Sequence, residues 1–508
     1  MQIPLFNTVL SWILKKRKYQ VDMFLHHPVE VQNEVLFDLL SDAKHTYFGA
    51  KHGFKNIKNY ASFAEKVPIQ QYESIEPLIE RNRRGEQNLF WPSKTQWFAK
   101  SSGTTNAKSK FIPVSNEAID DCHMKAGKDM LCLFINNNED TEIFKGKGLH
   151  LGGSSAVYED NDTFFGDLSA IIIENMPFWA DFSSAPSQKT ALMGEWETKM
   201  DAIINETIQE DITSLTGVPS WMLVLLNRVL EVTGKNNILE VWPNLEVYFH
   251  GGVNFNPYRE QYEKLIPKKD FRYYETYNAS EGFFAIQDRN NSDELLLMLD
   301  YGIFYEFIPM ENYQGENSKA IPLEEVKVGV NYAIVISTNS GLWRYLIGDT
   351  VKFTSVEPYR IKITGRTKHF INVFGEELVI ENAEDALKVA CSEFDASIID
   401  YTVAPIFMNG EHSGGHEWLI EFKKSPENME GFTSCLDTAL KALNSDYEAK
   451  RYLNMTIGMP KIHQAPKGLF YEWLKSKNKL GGQHKVPRLS NKREYLDELL
   501  EMYQSEAG

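Results

Sequence analysis

Residues 365–387 read GRTKHFINVFGEELVIENAEDAL, and the character of the chain changes on either side of them. HFINVF, 369–374, reads as a strand, and a helix is expected from Glu381 onward. Beyond it lie strand signals around Ile398–Val403 and at EWLIEF, 417–422, then a helix over Gly431–Leu443. A Gly-containing loop and a charged helix from Asn491 end the chain, giving a compact α+β pattern of domain size. Upstream, short β-rich runs such as LEVYFH (245–250), FRYYETY (271–277) and NYAIVIST (331–338) alternate with helical or loop segments. Such alternation predicts an α/β interior on buried strands. The first eighty residues read as helical, with apolar residues at three- and four-residue spacing over Pro28–His45 and Ile69–Arg84. The expectation is a large N-terminal α/β domain over 1–366 and a small C-terminal α+β domain over 367–508, without internal repeats.

The 508 residues are 43% hydrophobic and 24% charged, which suits packed interiors and excludes a disordered or fibrous chain. Lys and Arg number 53 against 70 Asp and Glu, a net charge of -17 that repels phosphate backbones and anionic lipid heads. Nucleic acid and membrane are therefore not expected as partners, while a local basic patch can still hold a small anion. Cys122, Cys132, Cys391 and Cys435 are scattered, without CxxC or metal-ligand spacing, and read as reduced thiols. The opening MQIPLFNTVLSWILKKRKYQ puts its apolar run before its basic cluster, the reverse of a secretory signal. A cytoplasmic protein is expected.

Four stretches carry the chemistry. In TQWFAKSSGTTNAKSKFIPVS, 95–115, β-like runs flank a loop rich in hydroxyls and glycine. Ser101, Ser102, Thr104 and Thr105 offer hydroxyls, Gly103 allows backbone N–H groups close to an anion, and Lys108 and Lys110 add charge. The loop suits a polyphosphate, although these are also ordinary turn residues and the GK[ST] of a Walker loop is missing. YFHGGVNF (248–255) and YYETYNASEGFF (273–284) read as strands ending in small or polar residues, where α/β sheets bind ligands. Gly251 and Gly252 would let backbone pass an adenine face, Tyr277 could stack on the base, Ser280 bond a phosphate and Glu281 hold Mg²⁺. In GLWRYLIGDTVKF, 341–353, Asp349 interrupts an apolar run and suits a ribose diol, or simply a Gly-Asp turn. Arg366 is a forked donor for ribose or phosphate oxygens, or a surface cation beside a linker.

In this order, SSGTT…K, YNASE, GLWRYLIGD and GRTKHFINVFGEE resemble the adenylate-forming superfamily of acyl-CoA synthetases, luciferases and adenylation domains. LSWILKKRKYQVDMFLHHPVEVQ near the start and QHKVPRL near the end are similar to its GH3 branch, the acyl acid amido synthetases. The intervals from Gly365 to Gly375 and on to Glu384 match the superfamily's hinge motif, with Lys368 at the hinge position. The resemblance implies an adenylate-forming fold whose small domain is joined by that hinge, with ATP and Mg²⁺ as cofactors. It implies activation of a carboxylic acid as acyl-adenylate and transfer to an amine, in particular an amino acid; transfer to coenzyme A is the alternative. It places Ser101–Thr105 and Lys110 on the β- and γ-phosphates, and Tyr277 and Ala279 beside adenine. Ser280 falls on the α-phosphate, Glu281 on Mg²⁺, Asp349 and Arg366 at the ribose, and Lys485 on the nucleotide after domain closure. Where the superfamily has Gly-x-Pro-Lys, this chain has Asn106, Ala107, Lys108 and Ser109, which leaves Lys108 beside Lys110 as the phosphate lysine. HHPVE, 26–30, lacks the Asp of an acyltransferase motif, and His412 and His416, separated by glycines, read as exposed loop histidines.

Overall fold

The computed structural model describes residues 17, 19–101, 110–152, 158–160, 162–176, 183–194, 196–252, 255, 258–367, 370–376, 378–408, 413–451, 454, 456–477 and 486–506. A four-stranded sheet is built from β1 (Trp97–Ser101), β2 (Lys110–Val114), β4 (Tyr158–Asp160) and β5 (Thr163–Gly166) in the order β2-β1-β5-β4.

The main sheet has twelve strands. Its parallel half holds β3 (Lys147–Leu151), β6 (Ser184–Ala185), β7 (Ile212–Gly217), β8 (Val247–Gly251) and β9 (Arg272–Ala279). The antiparallel half holds β10 (Gly282–Ile286), β11 (Leu295–Leu297), β12 (Ile303–Pro309) and β13 (Ile321–Pro322). It also holds β14 (Asn331–Thr338), β15 (Tyr345–Val356) and β16 (Tyr359–Arg366). The order is β13-β12-β14-β15-β16-β11-β10-β9-β8-β7-β3-β6, so β9 is the strand where parallel pairing gives way to antiparallel. Gly348-Asp349, which the sequence allowed as a turn, lies inside the twelve-residue β15.

Helix α1 (Pro28–Ala43) opens with Pro28 in its first turn, where the missing N–H costs nothing. It packs on β12 through buried Gln32, whose Nε2 donates to the Leu299 and Ile303 carbonyls at 2.9 Å each. Its Oε1 accepts from Tyr305 N, also at 2.9 Å, so the amide is fully satisfied in an apolar setting. Helix α2 (Tyr72–Arg83) covers the same core. On the parallel half, α3 (Pro219–Thr233) ends at Gly234, whose φ of +66° closes the helix in the left-handed conformation. The short α4 (Arg259–Leu265) lies beside it.

Past residue 366 the short strands β17 (Phe370–Ile371) and β18 (Leu378–Val379) pair with each other. The HFINVF strand is thus shorter than its pattern predicts, because Val373 N and Phe374 N donate to the Glu376 carboxylate instead of to a neighbouring strand. Strands β19 (Ser397–Ile406), β20 (Gly415–Lys424) and β21 (Lys461–Ala465) form a three-stranded sheet. Helices α5 (Ile380–Glu393), α6 (Met429–Leu443), α7 (Ser445–Arg451), α8 (Leu469–Ser476) and α9 (Glu494–Glu506) complete this part. The reading of His416 as an exposed loop residue does not hold: it lies in β20 with no exposed surface. Its apolar strand neighbours bury it, and Glu376 supplies a polar partner. His412 lies outside the described residues.

Two cores dominate. One joins the N-terminal helices, the small sheet and the antiparallel strands. The other runs from the parallel half, with Trp242, Tyr248 and Tyr262, into the C-terminal part, with Phe374, Trp418 and Phe432. Among the described residues no helix is long and apolar enough to cross a membrane.

Candidate active site

β8 and β9 run parallel with His250 opposite Glu275 and Gly251 opposite Thr276, so their carboxyl ends open on one side. Alternate residues of a strand share a face. Tyr273, Glu275, Tyr277 and Ala279 accordingly line a single cleft of about 1080 Å³. It opens at the carboxyl ends of β8 and β9, the side on which open α/β sheets form ligand crevices. Gly252 lines this cleft at φ +83°. Gly251 is not among the cleft-lining residues; a Cβ there would come within 2.5 Å of the Thr276 carbonyl oxygen, so its small size serves the contact between β8 and β9.

Asp349 lies opposite Arg366 across β15 and β16. Arg366 Nε donates to Asp349 Oδ1 at 2.7 Å, and the Tyr277 hydroxyl donates to Oδ2 at 2.8 Å. Each carboxylate oxygen keeps a second lone-pair direction, so two further donors such as a diol can still be accepted. Burial, with the Asp349 charge beside it, pushes the Tyr277 phenol far above its ordinary range, so Tyr277 is a fixed donor. Its ring is nearly fully buried and packs at 4.9 Å from Phe284.

Ser280 and Glu281 form the turn between β9 and β10 and face the cleft. Burial raises the Glu281 carboxyl to about 7, against the opposing pull of Lys110. Lys110 starts β2 opposite Ser101 at the end of β1, and both line the cleft. Its Nζ lies 5.4 Å from the Tyr72 ring centre, while the Tyr72 hydroxyl accepts from Phe111 N at 2.9 Å.

Glu281 suits a hard divalent cation: it is an oxygen donor whose charge burial disfavours, and no ion pair is formed by it among the described residues. No cluster of three or more potential ligands occurs among the described residues. A Mg²⁺ here would therefore take most of its ligands from phosphate and water, as that ion commonly does.

Ser101, Lys110, Gly252, Tyr277, Ala279, Ser280, Glu281, Asp349 and Arg366 thus meet in one cleft. Ser102, Gly103, Thr104, Thr105, Lys108, Lys368 and Lys485 lie outside the described residues.

Three domains of one family match in chain order: the GH3 family N-terminal domain over residues 17–271, the central domain over 296–366 and the C-terminal domain over 381–494. The chain belongs to the GH3 family. It is similar to an indole-3-acetic acid-amido synthetase of Arabidopsis thaliana, 23% identical over 90% of this chain and 89% of that protein. It is also similar to a jasmonoyl–L-amino acid synthetase of Nicotiana attenuata, 23% identical over 90% of each. Among solved structures it shares the fold of a GH3 acyl acid amido synthetase in complex with 2,4-DB, with a TM-score of 0.60, 17% identity and 93% of each chain covered.

The cleft of this GH3 chain also contains residues that sequence reading missed. His250 and Glu275 face each other from β8 and β9; burial takes the imidazole down to about 3 and the carboxyl up to about 7. Glu275 was within reach, since it stands two before Tyr277 in one strand. From the C-terminal part come Asn372, Val373, Phe407 and the run Asn491–Glu494. No sequence spacing relates these to β9, because the contact is made by tertiary packing alone.

Proposed function

We propose that this cleft binds ATP and a carboxylic acid and that the chain is an AMP-forming acyl acid amido synthetase. The acid is activated as acyl-adenylate with release of pyrophosphate, and an amine, in particular that of an amino acid, takes the acyl group as AMP leaves. The reading is supported above all by the convergence of Ser101 with Lys110, Ser280 with Glu281 and Asp349 with Arg366 on one cleft at the carboxyl ends of parallel strands. The names of the family relatives point the same way. The roles are proposals: Ser101–Thr105 and Lys110 on the β- and γ-phosphates, Ser280 on the α-phosphate, Tyr277, Ala279 and Gly252 at the base, and Asp349 with Arg366 at the ribose. Lys485 would meet the nucleotide from a mobile small domain, residues 367–508, that turns about Lys368.

The barrier to the first step is repulsion between a carboxylate and a polyphosphate. Lys110 and Arg366 bring fixed positive charge to a cleft in a chain of net charge -17. Preorganised charge of this kind lowers the barrier without reorganisation during the reaction. Asp349, held by two protein donors, fixes the ribose and so aims the α-phosphorus. A Mg²⁺ ion, held by Glu281, would supply further charge neutralisation at the phosphates.

ATP–pyrophosphate exchange with a panel of aryl, indolyl and fatty acids, followed by addition of amino acids or coenzyme A, tests the reading. Acid-dependent exchange and an amide product are expected. A thioester with coenzyme A and no amide would overturn the assignment of the acceptor, and absence of exchange with every acid would overturn the adenylation step.

A further inference from the structure

The loop Asn372–Glu376, between β17 and β18, is gripped from two sides by different kinds of backbone group. Its carbonyls belong to the large lobe: Val373 O accepts from the Tyr258 hydroxyl at 2.6 Å and Phe374 O accepts from Ser220 Oγ at 3.1 Å. Its amides belong to the small domain's side: Phe374 N donates to Glu376 Oε2 at 2.7 Å and Val373 N donates to Oε1 at 3.4 Å. Glu376 Oε1 is in turn 2.9 Å from His416 Nε2 on β20, and neither side chain has any exposed surface. The Phe374 ring is held against Gly414, where a Cβ would fall 2.2 Å from it. Asn372 and Val373 line the cleft, and Asn372 N donates to Asn491 Oδ1 at 2.8 Å, which brings the run at 491–494 to the same cleft.

A buried carboxylate and imidazole stabilise little that apolar side chains of the same size would not, because desolvation offsets the attraction. What such a pair does supply is a single geometry. Here that geometry is the shape of a loop whose other face docks on Ser220 and Tyr258. If the small domain turns, the two carbonyl bonds to the large lobe must break, while the amide bonds to Glu376 travel with the loop.

We propose that Glu376 and His416 form a positioning pair that keeps this loop shaped as a docking key for Ser220 and Tyr258. The pair thereby sets how the small domain sits over the cleft and governs the balance between the adenylation and acyl-transfer steps, taking no part in nucleotide binding. This rests on the function proposed above.

The test uses the full chain with Glu376→Gln and, since that variant can fail to fold, also Tyr258→Phe, which removes a single hydroxyl. Pyrophosphate exchange and amide formation are measured separately. The orientation of the small domain is read as a spin-label distance between Lys235→Cys and Lys424→Cys, with Cys391 and Cys435 replaced by Ser. Both variants are expected to change the ratio of the two partial rates, by about tenfold for Tyr258→Phe, and to broaden the distance distribution, with the KM for ATP unchanged. Partial rates that move in step, or an unchanged distance distribution, would overturn the proposal. If the wild type shows no acid-dependent exchange, the functional reading fails instead, and the distance measurement alone decides whether the pair positions the domain.

Discussion

Glu281 sits in the cleft with its carboxyl raised to about 7, well above its ordinary 4.5, and burial is the cause. The sign of the consequence is fixed. Between pH 4.5 and 7 the folded protein holds a proton that the unfolded chain has released, so stability contributed by this group is lost as pH rises through that window. Glu281→Gln should therefore melt higher than wild type at pH 8 and at the same temperature at pH 4, measured without ATP. The same variant should lose acid-dependent pyrophosphate exchange by about 10²–10³-fold, as removal of one electrostatic group from a preorganised site commonly does. A variant that is both destabilised at pH 8 and fully active would remove Glu281 from the site. Asp349→Asn deprives Arg366 Nε and the Tyr277 hydroxyl of a charged acceptor. It should raise the KM for ATP by roughly ten- to a hundredfold, with Tyr277→Phe costing less, because bonds to charged groups are the stronger ones. Residues such as Asp349 and Glu281 were legible because each interrupts an apolar or β-like run with a charge. His250 was not, since its place opposite Glu275 depends on the pairing of β8 with β9, which is settled by register and not by any local signal.

At the level of elements, strands and helices followed the apolar periodicity, and departures occurred where side chains captured backbone. Glu376 takes two amides from what reads as a continuous strand, so among the described residues of HFINVF only Phe370 and Ile371 pair. Gly348-Asp349 departs the other way: the strand continues through the glycine at φ +97° and turns Asp349 toward Arg366. The contact of β8 with β9 depends on Gly251, and Gly251→Ala should force the strands apart at the mouth of the cleft. A loss of about 1–3 kcal/mol is expected in urea unfolding, together with weaker ATP binding. Elsewhere the N-terminal helices are tied to the antiparallel half by Arg344, which donates to buried Glu306 through Nε and Nη2 and to the Ala64 and Val67 carbonyls through Nη1. The Tyr60 hydroxyl donates to the same Glu306 at 2.8 Å. Glu306→Ala would leave a buried guanidinium unpaired, at a cost of about 3–5 kcal/mol. Because this network lines no part of the cleft, the surviving folded fraction should keep its KM for ATP.

Across the whole molecule, the second core does not stop at the end of β16. Tyr258 and Tyr262 on the large-lobe side pack in one cluster with Ile371, Val373, Phe374 and Leu378 beyond residue 366. Lys450 Nζ, from α7, lies 3.7 Å from the centre of the Trp221 ring on α3, and Gln261 Nε2 donates to the Met408 carbonyl at 2.8 Å. Composition alone separates the two parts of the chain but says nothing about how much apolar surface each buries in the other, because that surface is paired only after both have folded. Phe374 and Leu378 have no exposed surface in the intact chain, and each fully buried side chain of this size is worth about 1.5–3 kcal/mol. Uncovering only a few of them consumes most of the roughly 5–15 kcal/mol by which a domain is stable, so a small domain that turns must exchange this contact for another on the large lobe and not leave it bare. A fragment of residues 367–508 produced alone should therefore bind a hydrophobic dye and give a poorly dispersed amide spectrum, while the intact chain melts in one transition that covers both parts. A dispersed spectrum and a sharp melt for the fragment would instead mean that the small part carries its own sufficient core, and that its contact with Trp221, Tyr258 and Tyr262 is a docking surface it can leave at little cost.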